Sequence, residues 1–234
     1  MSISAAAISE TSETLINQQS AQSIYILTDL SITEPAQSLG TFGGNVSIGN
    51  CWIESKLIDQ ATISSLHDTS SSKKSGEIAF LSFTKGTPWP VNIGAHVGSI
   101  KDSSVKIVSG HIDLMLFEVP FWPSVGARIN HKQVLGWDNV DYSHQSAQLS
   151  LAYGRGSLTG YAGAQINRGS LKISETTTDD QNSVDSQRFT RMEKTSFSIG
   201  GRLALFTGMT HITAEINHTP ALHDVISFKL SYKL

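Results

Sequence analysis

From Thr41 onward the chain alternates apolar and polar residues with a period of two. The pattern is plainest at its end, where Ile226, Phe228, Leu230, Tyr232 and Leu234 are separated by Ser227, Lys229, Ser231 and Lys233. A strand puts these two sets on opposite faces, whereas a helix would scatter them. The pattern recurs along the chain. Val46, Ile48 and Trp52 oppose Asn45, Ser47 and Cys51; Ile93, Ala95 and Val97 oppose Asn92, His96 and Gly98. Val108, Ile112 and Leu114 oppose Ser109, His111 and Asp113; Ala127 and Ile129 oppose Arg128 and Asn130. Later segments set Leu149 and Leu151 against Gln148 and Ser150, Ile199 and Leu203 against Ser198 and Arg202, and Ile212 and Ile216 against Thr213 and Glu215. The count is about ten strands, an even number.

Turn chemistry separates the strands. Lys85-Gly86-Thr87-Pro88, Pro120 to Pro123, Gly154-Arg155-Gly156-Ser157 and Thr207-Gly208-Met209 read as tight reversals. Leu57 to Ser75, Lys132 to His144, Ser170 to Lys194 and Asn217 to Asp224 are polar and read as long loops. Long and short connections therefore alternate, which places all the long loops at one end. A soluble sandwich gives no reason for that arrangement, and a barrel spanning a membrane does. The predicted fold is all-β: a closed antiparallel up-and-down transmembrane β-barrel over residues 39–234. Closure is required because lipid offers no partner to an edge strand's amides. Residues 1–38 read as a polar tail followed by a periplasmic or lumen-lying segment, with Ile24 to Ile32 left without an assigned element. Both termini are expected on the short-turn, periplasmic side.

Aromatic residues fall in two belts. Trp89, Phe121, Trp122, Tyr153, Phe206 and Tyr232 lie near short turns, and Trp52, Trp137 and Tyr142 near the predicted long loops. Trp52, Trp89, Trp122, Trp137, Tyr153 and Tyr232 are the expected interface girdle.

Composition narrows the function classes. A net charge of -3 gives no basic field, so no nucleic-acid partner is expected. With Cys51 the single cysteine, no intramolecular disulfide is possible. The strongest apolar run, Ile112 to Phe117, contains Asp113 and is far shorter than the roughly 20 residues of a membrane helix. No signal-peptide pattern is visible at the N-terminus apart from Ala5-Ala6-Ala7, so Met1 reads as a late start downstream of an export signal.

The strands VISFKLSYKL, the pair FTKGTPWPVNIGAHVG and the pair LSLAYGRGSLTGYAGAQI resemble those of bacterial outer-membrane β-barrel proteins, over roughly Thr41 to Leu234. The resemblance implies outer-membrane localisation, contact with the lipid bilayer, and recognition of the closing strand by the barrel-assembly machinery. That strand usually ends in an aromatic residue; here Leu234 is last and Tyr232 lies two positions earlier. Small barrels with a Gly-Pro turn between their second and third strands are the most similar, and they imply no reaction.

The alternation sends His96, His111, Asp113, Arg128, Arg202, Glu215, Lys229 and Lys233 to the barrel interior. A ten-strand barrel is only slightly wider than one filled by its own side chains, so these groups are expected to pair as a lumen polar network. The first functional reading is a structural or protein-interaction role in the outer membrane, with a partner at the loops, the barrel wall or the N-terminal segment. Gly160, Ala162 and Ala164 offer a flat wall for such a contact. A narrow pore for small solutes or ions is the alternative. A hydrolase built on the long loops is the third, drawing on His131, Asp138, Asp141 and His144 or on His218, His223 and Asp224, whose spacing matches no catalytic motif. Neither a cofactor nor a metal is expected.

Overall fold

Small, β-branched and aromatic residues in alternation favour extended backbone, and the pairing partner of each segment is its neighbour in sequence. The computed structural model describes residues 22–26, 28, 37, 39–54, 75–119, 122–137, 140–179, 182–205 and 208–234, with backbone alone at 75, 173–179 and 182–189. It contains ten strands: β1 (Gly44–Glu54), β2 (Ser75–Gly86), β3 (Val91–Ile100), β4 (Lys106–Phe117), β5 (Ser124–Leu135), β6 (Val140–Arg155), β7 (Leu158–Asp179), β8 (Asn182–Leu205), β9 (Thr210–Thr219) and β10 (His223–Lys233). Each pairs antiparallel with its sequence neighbours, and β1 pairs β10 from Asn45↔Lys233 to Glu54↔Asp224, closing the barrel. The seam continues to the last residue, where Leu234 N–H donates to the Gly44 carbonyl at 2.9 Å.

This seam end, with the β2–β3, β4–β5, β6–β7 and β8–β9 turns, is termed the lower rim; the opposite end is the upper rim. Upper-rim connections are shorter than the polar stretches predict. β5 runs to Leu135 and β6 starts at Val140, β9 reaches Thr219 and β10 starts at His223, and the 170–194 segment is almost wholly strand. The expected loop at 57–74 lies outside the described residues. Polarity misleads here because the outer face turns hydrophilic near this rim while the inner face stays buried, at Lys132, Val134, Tyr142, His144, Asn217 and Thr219. The two-residue period survives the change of surroundings. What distinguishes the upper rim is strand overhang. β6 stops pairing with β7 at Ile173, so 174–179 and 182–187 form a two-stranded ribbon standing beyond their neighbours, and β9 joins β8 only from Phe197.

The wall is patterned inside out. Ile129 and Ile199 are 67% and 66% exposed on its outer face, in a band with Ile48, Leu81, Ile112, Leu149, Ile216 and Phe228. Trp89, Trp122, Tyr153 and Tyr232 are exposed around the lower rim, and Trp52 packs edge-on against Phe228 near the upper one. Trp137 departs from the expected girdle: it is partly buried and packs against the apolar core inside the barrel, and Tyr142 is buried in that core. Phe121 and Phe206 lie outside the described residues. Gly160, Ala162 and Ala164 are exposed on the outer face.

Candidate functional site in the barrel interior

The interior is divided between two chemistries. Near the upper rim the inward residues are apolar: Cys51, Ile53, Ile78, Phe80, Ile100, Ile107, Val134, Tyr142, Leu171 and Val225 form one cluster. At its centre sit Ile24, Tyr25 and Ile26 of a helical turn at residues 22–26, at 3%, 1% and 0% exposure. One turn of helix is unstable alone, so packing must hold it. Burying each of these three side chains contributes on the order of 2 kcal/mol. Thr28 closes the turn, its N–H and hydroxyl both donating to the Ile24 carbonyl, and Lys132 Nζ donates to the Thr28 carbonyl at 2.9 Å. The Tyr25 ring meets His144 and His223 edge-on, at 5.7 and 5.8 Å. The first described element thus lies at the end opposite to the start of β1.

At the lower rim the same N-terminal stretch is held again. The Asn92 side-chain amide donates to the Gln37 carbonyl at 2.9 Å and accepts from the Leu39 N–H at 3.2 Å.

Between and below these anchors the inner face is polar. Arg128 forks onto Asp113, Nε to Oδ1 at 2.5 Å and Nη2 to Oδ2 at 2.9 Å, across the β4–β5 register pair that sets them opposite each other. His111 stacks on His96 at 4.4 Å between ring centres and lies 3.8 Å from Asp113. Glu215 accepts a 2.9 Å hydrogen bond from the Tyr161 hydroxyl, and the Asn167 side chain bonds both Gln165 and Ser196. Arg202, Lys229 and Lys233 line a lower chamber with Asp113 and Arg128. All eight residues that the alternation sends inward line this face.

Glycine makes the longer reaches possible. Tyr161 on β7 is paired with Gly200 on β8, which is paired with Glu215 on β9. A Cβ at Gly200 would overlap the Tyr161 ring. The ring therefore lies flat over the bare glycine and bonds the strand beyond. His111 does the same over Gly94 to reach Thr84 Oγ1 at 3.3 Å, and Phe80 lies over Gly49. The sequence signal for this device is an inward glycine opposite an aromatic or histidine on the next strand.

The loop-hydrolase candidates are split by the wall. His131 and Asp141 are exposed outside, His144 and His223 are buried inside, and Asp138 lies outside the described residues. His218 and Asp224 do pair, Nδ1 to Oδ1 at 2.6 Å, but both are more than half exposed on the outer face, and their strand partners include Phe197 and Glu54. Among the described residues no three metal-ligating side chains converge. Near the upper rim the Glu77 carboxylate, through a 2.8 Å hydrogen bond and its charge, raises Lys101 above the ordinary lysine range.

A closed antiparallel barrel, apolar outside and polar or self-filled inside, has the patterning of transmembrane β-barrels. The solved structures it resembles are outer-membrane β-barrel proteins. They include the outer membrane protein OprG from Pseudomonas aeruginosa (9% identity over 85% of this chain and 99% of that one, TM-score 0.35). They also include the KdgM porin (6%, 80% and 98%, TM-score 0.40) and LpxR from Salmonella typhimurium (8%, 81% and 99%, TM-score 0.41). The likeness is one of fold alone. No protein-family model and no curated protein matches the chain.

Proposed function

We propose that this chain is an integral β-barrel of the bacterial outer membrane with a structural or protein-interaction role, its lumen closed by its own N-terminal segment. The observation that carries the reading is the Ile24–Tyr25–Ile26 turn, buried within an apolar core inside the barrel. A conduit for ions or polar solutes has no use for such a core, because dehydrating a charge there costs many kcal/mol. The outer apolar band supports lipid contact, since a soluble protein would not expose so many large apolar side chains in one belt. Its closing strand, with Phe228, Leu230 and Tyr232 facing outward, suits recognition during barrel assembly. The β7–β8 ribbon is the element a partner outside the bilayer would meet first.

Purified full-length protein in planar bilayers is expected to give no conductance above lipid background while migrating as a heat-modifiable barrel. Steady ion currents from the native chain would overturn the reading. They would favour a narrow pore instead, a second reading that draws on the polar lower lumen.

A further inference from the structure

We infer that the outer wall across β9, β10, β1 and β2 holds one acyl chain of a bilayer lipid, whose ester carbonyl accepts a hydrogen bond from the Asn50 side-chain amide, a site that rests on the proposed placement of the barrel in a membrane. Between Leu230 and Ile226 on β10, Val46 and Trp52 on β1, and Phe83 and Ala79 on β2, every outward residue is aliphatic or aromatic except Asn50. Its side chain has no hydrogen-bond partner among the described residues, and the residues opposite it, Phe228 and Ala79, offer none. An amide carries two donors and an acceptor, and leaving them unmet against hydrocarbon is costly. Unlike lysine, asparagine is too short to carry its polar end past Trp52 to water.

The amide faces a groove. It encloses about 540 Å³, lined beside Asn50 by Ile48, Trp52, Ala79, Ile212, Phe228 and Leu230; small-molecule sites span roughly 300–1,000 Å³. Register gives its direction. Strands of such barrels tilt by about 35–45°, so a row of paired residues climbs across the wall. The row of Asn50 runs through Phe228 to Ala214 on one side, and through Ala79 and Ser99 to Lys106, the first residue of β4 at the upper rim, on the other. Rows therefore rise from β9 towards β2. Ile212 and Leu230, one outward step below that row, form the lower end of the groove; Ile48 and Phe228 flank its middle; Asn50 comes next, and Trp52 and Ala79 stand at the top. Trp52 leans edge-on against Phe228, ring centres 5.7 Å apart, and raises one side wall, while Ala79 keeps the other low. The groove is apolar along its length and polar just beneath an interfacial tryptophan, which matches a lipid chain with its ester below the headgroup. A second barrel presents a convex wall, which fills such a groove poorly.

The test is native mass spectrometry of the full chain in a detergent without carbonyl groups, titrated with dioleoyl phosphatidylethanolamine or its diether analogue. One saturable adduct of the ester lipid is expected, with the diether lipid at least tenfold weaker. Asn50→Leu should weaken the ester lipid tenfold or more and abolish the difference between the two lipids, with heat-modifiable migration retained. Ala79→Leu, which fills the groove and keeps the amide, should weaken both. Ala164→Leu, on β7 outside the groove, should change neither. Equal binding of the two lipids to the native chain, full ester-lipid affinity in folded Asn50→Leu, or dimers that require Asn50 in place of a lipid adduct would each overturn the inference. So would a native barrel that migrates as heat-modifiable yet binds no lipid saturably, an outcome that leaves the proposed function standing.

Discussion

The upper and lower halves of the barrel interior share the same strands and the same inward direction, yet they solve the problem of a narrow lumen in opposite ways. Above, Cys51, Ile53, Ile78, Ile107, Val134 and Val225 turn the inside of a barrel into a conventional hydrophobic core and recruit Ile24, Tyr25 and Ile26 to fill it. Below, the same strands contribute Ser47, Thr84, Ser109, Arg128 and Lys229, and space is filled by hydrogen bonds and ion pairs. The difference shows that a barrel's inner face is not one environment. A lumen can be apolar at one end and charged at the other.

The largest expected effect breaks the dry end. Ile26 has no exposed surface, and Ile26→Asp would place a carboxylate in the apolar core, at a cost of several kcal/mol unless the helical turn leaves it. Because the ten-strand ladder does not depend on this turn, the barrel should persist while its upper seal opens. Planar-bilayer recordings are expected to change from background to discrete openings, with heat-modifiable migration retained. A folded Ile26→Asp barrel that stays silent would show that closure lies elsewhere.

The two halves were unequally legible in the sequence. Alternation alone identified ten strands, their direction and the inward set His96, His111, Asp113, Arg128, Arg202, Glu215, Lys229 and Lys233, because a strand's period of two is fixed by its backbone. Pairing among those groups was not legible. Alternation left open whether Lys229 and Lys233 meet Asp113 or Glu215; β4–β5 register gives Asp113 to Arg128, and a glycine window lets Tyr161 bond Glu215. The dry core left a trace in adjacent apolar pairs, Trp52–Ile53, Ile107–Val108, Val134–Leu135 and Val225–Ile226, each with one member outward and one inward. Such pairs mark places where both faces are apolar. The Ile24–Ile26 turn left none, since three residues carry no period and their burial depends wholly on tertiary packing.

The charged half is tested next through its ion pair. Asp113→Ala leaves the Arg128 guanidinium, at 9% exposure, without the fork that neutralises it. Losing one partner of such a pair costs about 3–5 kcal/mol. Urea titration of the folded barrel is expected to show a clear fall in midpoint, and the double variant Asp113→Ala/Arg128→Met should recover much of it. The same double change in the dry half has no counterpart, so recovery would establish that charge pairing, rather than shape, fills the lower lumen. An unchanged midpoint in the single variant would mean that solvent already screens the pair.

The smallest effect separates filling by hydrogen bonds from filling by volume. Gly200→Ala adds one methyl where the Tyr161 ring lies, so the ring must lift and its hydroxyl must release Glu215. Displacing the ring costs about 1–3 kcal/mol as overpacking, and Tyr161→Phe removes only the hydrogen bond to the carboxylate, also about 1–3 kcal/mol. If the bond is what matters, the two variants should lower the midpoint by similar amounts, and combining them should add little beyond Gly200→Ala. If the glycine serves ring volume alone, Tyr161→Phe would be nearly neutral and Gly200→Ala would keep its full cost in either background. That outcome would make the lower half resemble the upper one, a packed core that happens to be lined with polar atoms.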